Sequence, residues 1–186
     1  MKLGQKFFQQ KTLKLSQQLL GKFLVRKIGS KLIVGKIVET EAYVGPKDLA
    51  SHASKGKTKR NKIMFGPGGY WYVYLVYGMY YCLNIVTEGH NYPAAILIRA
   101  VEPTKGLDGL KTDGPGKLCK AFRIDKNINA APAFGPKIKL WIEDRGIKLE
   151  SNQIKKMPRV GVDYAKEYKN KLWRFYIKNN NYVSKI

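Results

Sequence analysis

Tyr70-Trp71-Tyr72-Val73-Tyr74-Leu75-Val76-Tyr77-Gly78-Met79-Tyr80-Tyr81-Cys82-Leu83-Asn84 holds six of the chain's twelve tyrosines. From Ile63 to Thr87 there is no Asp, Glu, Lys or Arg, although 26% of the chain is charged. Such a segment builds a core, presents a stacking surface, or does both. Two strand-like runs meet at Gly78. By the two-residue period Tyr72, Tyr74 and Val76 share one face, and Val73, Leu75 and Tyr77 the other. The plainest reading is a core strand with tyrosine hydroxyls at its rim. Gly66-Pro67-Gly68-Gly69 interrupts the apolar run and Asn84 closes it. The uninterrupted length of about 18 residues that a membrane helix needs is therefore missing.

Outward from this stretch, 186 residues with 44% hydrophobic composition fit one domain spanning 1–186, with enough apolar material for a core. The net charge of +22, from 35 Lys+Arg against 13 Asp+Glu, points to a polyanionic partner, nucleic acid before an anionic membrane. Cys82 and Cys119 lie far apart without a CxxC or a paired histidine. They read as reduced thiols in a core or pocket wall, with no zinc site. The N-terminus shows no apolar signal-peptide run, so a cytoplasmic setting is expected.

Residues 1–38 carry nine basic residues and no acid. Thr12 is placed to cap a helix that buries Leu15, Leu19 and Leu20 and ends at Gly21. A short strand over 22–26 and a turn at Gly29-Ser30 precede a longer strand from Leu32 to Tyr43. Glu39 and Glu41 emerge at its apolar end, on the same side as Tyr43 in a regular strand. They are either an internal ion pair with Arg or Lys or a tuned general acid or base. Arg99, inside the apolar run Pro93–Pro103, needs a carboxylate partner. Glu41 or Glu39 is the natural one, with Glu102 as the structural alternative.

The loop Lys55-Gly56-Lys57-Thr58-Lys59-Arg60-Asn61-Lys62 sets five cations in eight residues. Next to the tyrosine stretch it suits contacts to phosphates and unstacked bases better than plain solvation. His52 is either structural or part of a pocket. Asp113-Gly114-Pro115-Gly116-Lys117 is a loop opening a helix; it either receives a phosphate or forms a simple turn. It is not a Walker loop, because the GK[ST] ending is absent. Strands are expected over 136–144 and 173–177, with a polar connector over 146–156. No repeat or low-complexity tract is present.

Taken in order, these motifs resemble the alkyladenine (3-methyladenine) DNA glycosylase family, the methylpurine glycosylases. The similarity runs from Leu19-Leu20-Gly21-Lys22 through Val38-Glu39-Thr40-Glu41-Ala42-Tyr43 and Ala50-Ser51-His52-Ala53. It continues through Arg60-Asn61, Met64-Phe65-Gly66-Pro67-Gly68-Gly69, Tyr72-Val73-Tyr74, Tyr77-Gly78-Met79 and Cys82-Leu83-Asn84. It closes with Leu97–Pro103, Gly114–Cys119 and Arg159-Val160-Gly161-Val162. The departures, Ser16-Gln17, Leu172 and a short 106–114 segment, touch no pocket position.

The resemblance implies an α+β fold, a single mixed domain with a curved antiparallel sheet and flanking helices. It implies an enzyme that flips a damaged purine out of duplex DNA, because the glycosidic bond is inaccessible in the stack. By resemblance Glu41 activates water, and Arg99 and the Val160 backbone hold that water. Tyr74 stacks on the flipped base, Tyr43 and His52 form the opposite wall, and Asn84 tests for guanine's amino group. Tyr77 is the wedge. Met79 and Cys82 pack near the pocket, and Met79, Lys57, Lys59, Arg60 and Lys117 lie on the DNA side. The expected substrates are 3-methyladenine, 7-methylguanine, hypoxanthine and ethenoadenine, excised by a monomer without metal or cofactor. A bacterial, nucleoid-associated setting is implied. A noncatalytic single-stranded nucleic-acid-binding module would explain the charge and aromatics but not Glu41 with Arg99. A metal-dependent nuclease would explain the carboxylates alone.

Overall fold

The computed structural model describes residues 1–184. Its strands are β1 (Phe23–Ile28), β2 (Lys31–Val44), β3 (Trp71–Val76), β4 (Tyr80–Val86), β5 (Ala94–Lys105), β6 (Leu140–Glu143), β7 (Ile154–Met157) and β8 (Arg174–Ile177). Three short helices flank them: α1 (Gln5–Phe8), α2 (Thr12–Gln18) and α3 (Pro115–Ala121). All pairings are antiparallel, in the order β3-β4-β5-β2-β1-β6. The long β2 is the spine. It pairs with β5 along one side, and on the other with β1 in its first half and β8 at Glu39–Glu41. The expected mixed α+β domain with a curved antiparallel sheet is what the chain forms.

Irregular register between Ile37 and Thr40 bends β2 where it meets β5. Bulges of this kind increase local twist and re-aim side chains. Here the bend sits immediately before Glu41, at the end of the spine that carries the site.

The core lies between the sheet and the helices. Phe8, Leu15, Leu19, Trp71, Leu83, Ile85, Ile96 and Phe122 are fully buried in it. Trp71 satisfies its indole N–H by donating to the Leu140 carbonyl at 3.1 Å, as a buried indole must. The Gly-Pro-Gly-Gly interruption has a packing reason. A Cβ on Gly68 would lie 2.6 Å from the Phe8 carbonyl oxygen, so only glycine lets the two backbones approach.

Three expectations need correction. Thr12 is buried inside the first turn of α2 rather than capping it. Glu88 does the capping, accepting from the Thr12 N–H at 3.0 Å and the Thr12 hydroxyl at 2.6 Å, a carboxylate at the favourable helix end. The strand expected over 136–144 is only Leu140–Glu143. The segment 146–156 is not wholly connector, because β7 begins in it and pairs with β8, covering an edge that its polarity concealed.

Candidate active site

Glu41 sits at the end of β2 with no solvent exposure. Its carboxylate accepts from the Val160 N–H at 2.8 Å and from the Tyr43 hydroxyl at 2.9 Å. The Arg99 guanidinium, arriving from β5, lies 3.3 Å away through Nη1. Glu39, equally buried, takes Arg99 Nε at 3.1 Å and lies 3.3 Å from Arg174 Nε. Two carboxylates and two guanidinia thus compensate each other where unpaired charge would be prohibitive. The expected partners of Arg99 are both present. Glu102 instead pairs with Lys36 at 2.8 Å.

Burial pushes the Glu41 carboxyl above its ordinary range. Arg99, the Val160 N–H and Tyr43 pull it down without cancelling that effect, and Glu39 adds to the rise. Burial also works against the Arg99 guanidinium, but Glu41 and Glu39 more than offset it and its pKa rises. Tyr43 and Tyr74 are pushed well up, chiefly by burial, so both keep their phenolic protons. Tyr43 is therefore a hydrogen-bond donor to Glu41.

A cavity of about 520 Å³ opens above Glu41. Its volume falls in the range of small-molecule pockets. Tyr43, His52, Tyr72, Tyr74, Cys82 and Asn84 are among its lining residues. The His52 and Tyr74 rings meet edge to face at 4.6 Å, too close to admit a base between them, so His52 stands with Tyr74 and not on the wall expected opposite it; Tyr72 lies 5.1 Å from Tyr74. Asn84 donates to the Tyr72 carbonyl at 3.1 Å, which fixes its amide. Burial, and then Arg60, holds His52 below the ordinary imidazole range, so the ring is neutral near neutrality. Cys82 forms part of the wall, and burial raises its thiol to about 11; it is inert there rather than nucleophilic.

At the rim, the β3–β4 hairpin turns at Tyr77 and Gly78, with φ of 50° and 69°. A left-handed tyrosine is uncommon, and here it projects the ring into solvent, 87% exposed. Met79, expected to pack near the pocket, is 68% exposed beside it. Lys57 and Lys59 stand on the exposed neighbouring loop. Asn61 organises this loop, accepting from Thr58 N–H and donating to the His52 and Gly56 carbonyls. Arg60 lies 5.0 Å from the Tyr74 ring and donates to the Leu75 carbonyl. Lys117 is on the exposed side of α3 and pairs with Asp113 at 3.1 Å.

Further side chains support the site through contacts that the sequence does not declare. Tyr72 holds His52 Nδ1 at 2.9 Å through its hydroxyl. Asp48 and Arg159 form a fully buried two-pronged pair at 2.6 and 2.8 Å, and Arg159 precedes the very residue whose N–H binds Glu41. An acid after a Gly-Pro turn and an arginine before Val160 were the only available hints.

Residues 6–181 match the family model described as methylpurine-DNA glycosylase. A protein of Legionella pneumophila (strain Corby), named "Putative 3-methyladenine DNA glycosylase", is 50% identical over 184 residues, covering 99% of this chain and 98% of its own. Proteins of the same name from Methanocella arvoryzae and Alkaliphilus oremlandii are 46% and 44% identical over 198 and 205 residues. They cover 98% and 100% of this chain, and 96% and 100% of their own. The likeness spans nearly the whole chain, so the chain belongs to the methylpurine-DNA glycosylase family and is a DNA glycosylase of base-excision repair.

Proposed function

We propose that this glycosylase flips alkylated or deaminated purines out of duplex DNA into the aromatic cavity and hydrolyses the N-glycosidic bond with a water activated by Glu41. The carrying observation is a buried carboxylate at the cavity floor, held by Arg99, the Val160 N–H and Tyr43. In the reaction, water oxygen bonds to C1′, the bond from C1′ to the purine nitrogen breaks, and the base leaves with its electron pair. Glu41 takes the proton from water. An abasic site remains, and no lysine enters a covalent step.

Tyr74, Tyr43 and His52 supply π-faces that favour the electron-poor or cationic rings of alkylated purines over normal bases. Asn84 is the test against guanine's amino group. Tyr77, at the exposed hairpin tip, fills the gap left by the flipped base, and Met79 lies against the same groove. Lys57, Lys59, Arg60 and Lys117 contact phosphates. One chain suffices for this geometry, and the reading assigns no metal to the step.

A single-turnover assay on a duplex with one hypoxanthine and on its undamaged twin, with EDTA present, tests this reading. Breaks confined to the lesion strand, and seen only after alkali, are expected. Equal binding to both duplexes with no excision of hypoxanthine or methylated purines would leave only a binding module.

Two quantitative outcomes follow. Only ionised Glu41 accepts a proton, and its carboxyl titrates above the ordinary range. The single-turnover rate is therefore expected to fall on the acid side while the pH is still above the ordinary carboxylate range, and to plateau above it. A rate that stays flat down into that ordinary range would remove the base role. Neutralising Lys55, Lys57, Lys59 and Lys62 is expected to flatten the salt dependence of duplex binding by roughly 0.9 per lost phosphate contact. An unchanged slope would return the loop to simple solvation.

A further inference from the structure

Arg99 offers three nitrogens, and each is taken by a different partner. Nε goes to Glu39 at 3.1 Å, Nη1 faces Glu41 at 3.3 Å, and Nη2 donates to the Ser184 hydroxyl at 3.1 Å. Ser184 in turn donates its hydroxyl to Glu39 Oε1 at 3.0 Å, and its backbone N–H donates to Glu39 Oε2 at 2.8 Å. One serine therefore closes a ring of hydrogen bonds behind the catalytic carboxylate. It comes from the far end of the described chain and is itself buried.

The approach to that position is built as well. Asn180 donates to Glu102 on β5 at 2.7 Å, and its own side-chain oxygen accepts from the Tyr182 N–H at 3.0 Å. The chain thereby turns back after β8 and delivers Ser184 to the cluster. Glu102, already paired with Lys36, is the outer anchor of this strap. None of Asn180, Ser184 and Glu102 is among the residues lining the cavity.

We propose that Ser184 is a positioning residue for the reaction, and that the Asn180–Ser184 turn is a strap that fixes the Arg99 guanidinium against Glu41. The reason is geometric. Without the Ser184 hydroxyl, Arg99 Nη2 loses its acceptor and Glu39 loses a donor. Glu39 then draws the guanidinium towards itself, since it is the closer carboxylate, and Glu41 loses its cation. The proposal rests on Glu41 acting as the base, and the test separates the two.

The test compares Ser184→Ala and Ser184→Thr with the parent in single-turnover excision across pH, on a hypoxanthine duplex or, if that is not cut, a 7-methylguanine duplex. Affinity for a duplex carrying a stable abasic analogue is measured alongside. Ser184→Ala is expected to lower the plateau rate about tenfold, the worth of one hydrogen bond to a charged group. Its acid limb should move to higher pH, because a carboxylate deprived of its cation titrates higher. Ser184→Thr keeps the hydroxyl and should restore both, and duplex affinity should not change. Asn180→Ala, which unhooks the strap without touching the buried cluster, should displace the acid limb in the same direction if Ser184→Ala folds poorly. A lower melting temperature with the acid limb in place would mean a structural role only and would overturn the proposal. If Glu41→Gln itself remains active, the failure belongs to the base assignment instead.

Discussion

Glu41→Gln is expected to lower single-turnover excision by roughly 10²–10⁴-fold, the usual worth of a positioned general base. The substitution preserves shape and most hydrogen bonding. A glutamine oxygen still accepts from the Val160 N–H and faces Arg99. Its amide can donate to Tyr43, whose hydroxyl rotates to accept. What disappears is the capacity to take a proton, together with the negative charge that faces Arg99, which keeps Glu39 as its counter-ion. Stability should move the other way. The folded-state carboxyl has a raised pKa, so the fold binds a proton more readily than the unfolded chain does. Its contribution to stability is greatest below that pKa and declines as pH rises through it. At neutral pH the ionised group is therefore a cost, and the glutamine variant should melt at or above the parent temperature. Full excision by the variant would dismiss the base assignment. A loss of rate that followed a fall in melting temperature would place Glu41 among structural residues.

That the acid and the arginine are paired was legible before any fold was known. A charge inside an apolar strand must be compensated, and few carboxylates stood near enough in pattern to serve Arg99. Spacing alone did not choose between Glu39 and Glu41. The fold shows why, since Arg99 holds both, through different nitrogens. The tyrosine stretch likewise announced a strand pair, and its period placed Tyr72 and Tyr74 on one face, where they meet His52. What stayed hidden depends on contacts without periodicity. Ser184 reaches Glu39 across 145 residues, and Arg159 reaches Asp48 across 111. The bend at Glu39 is a register effect between strands, which neither strand's own sequence declares. β7 is polar because it sits at an exposed edge, so its composition resembled a connector.

Asp48→Ala is expected to destabilise the fold by about 3–5 kcal/mol, because it strands a buried guanidinium. Asp48 and Arg159 are both without solvent exposure in their side chains. The aspartate also accepts from the Val44 N–H at 3.0 Å and the Ala50 N–H at 3.1 Å, so two further donors lose their acceptor. Arg159 cannot follow the loss outward. It donates to the Ala42 carbonyl at 2.8 Å and packs between the Tyr43 and Trp173 rings at 4.8 and 5.1 Å. For a chain of this size the melting temperature should fall by roughly 6–20 °C. Removing Lys117 from its exposed pair with Asp113 should cost no more than about 1 kcal/mol. Removing both buried charges, as Asp48→Ala with Arg159→Met, should be less damaging than the sum of the single changes, since neither charge is then left alone. Additive losses would show that the pair is not coupled. The effect also reaches the chemistry, because Arg159 sets the backbone of Val160 whose N–H holds Glu41. Below its melting temperature, Asp48→Ala should therefore still excise more slowly than the parent while binding duplex as tightly. Equal rates at a temperature where both are folded would confine the pair to stability alone.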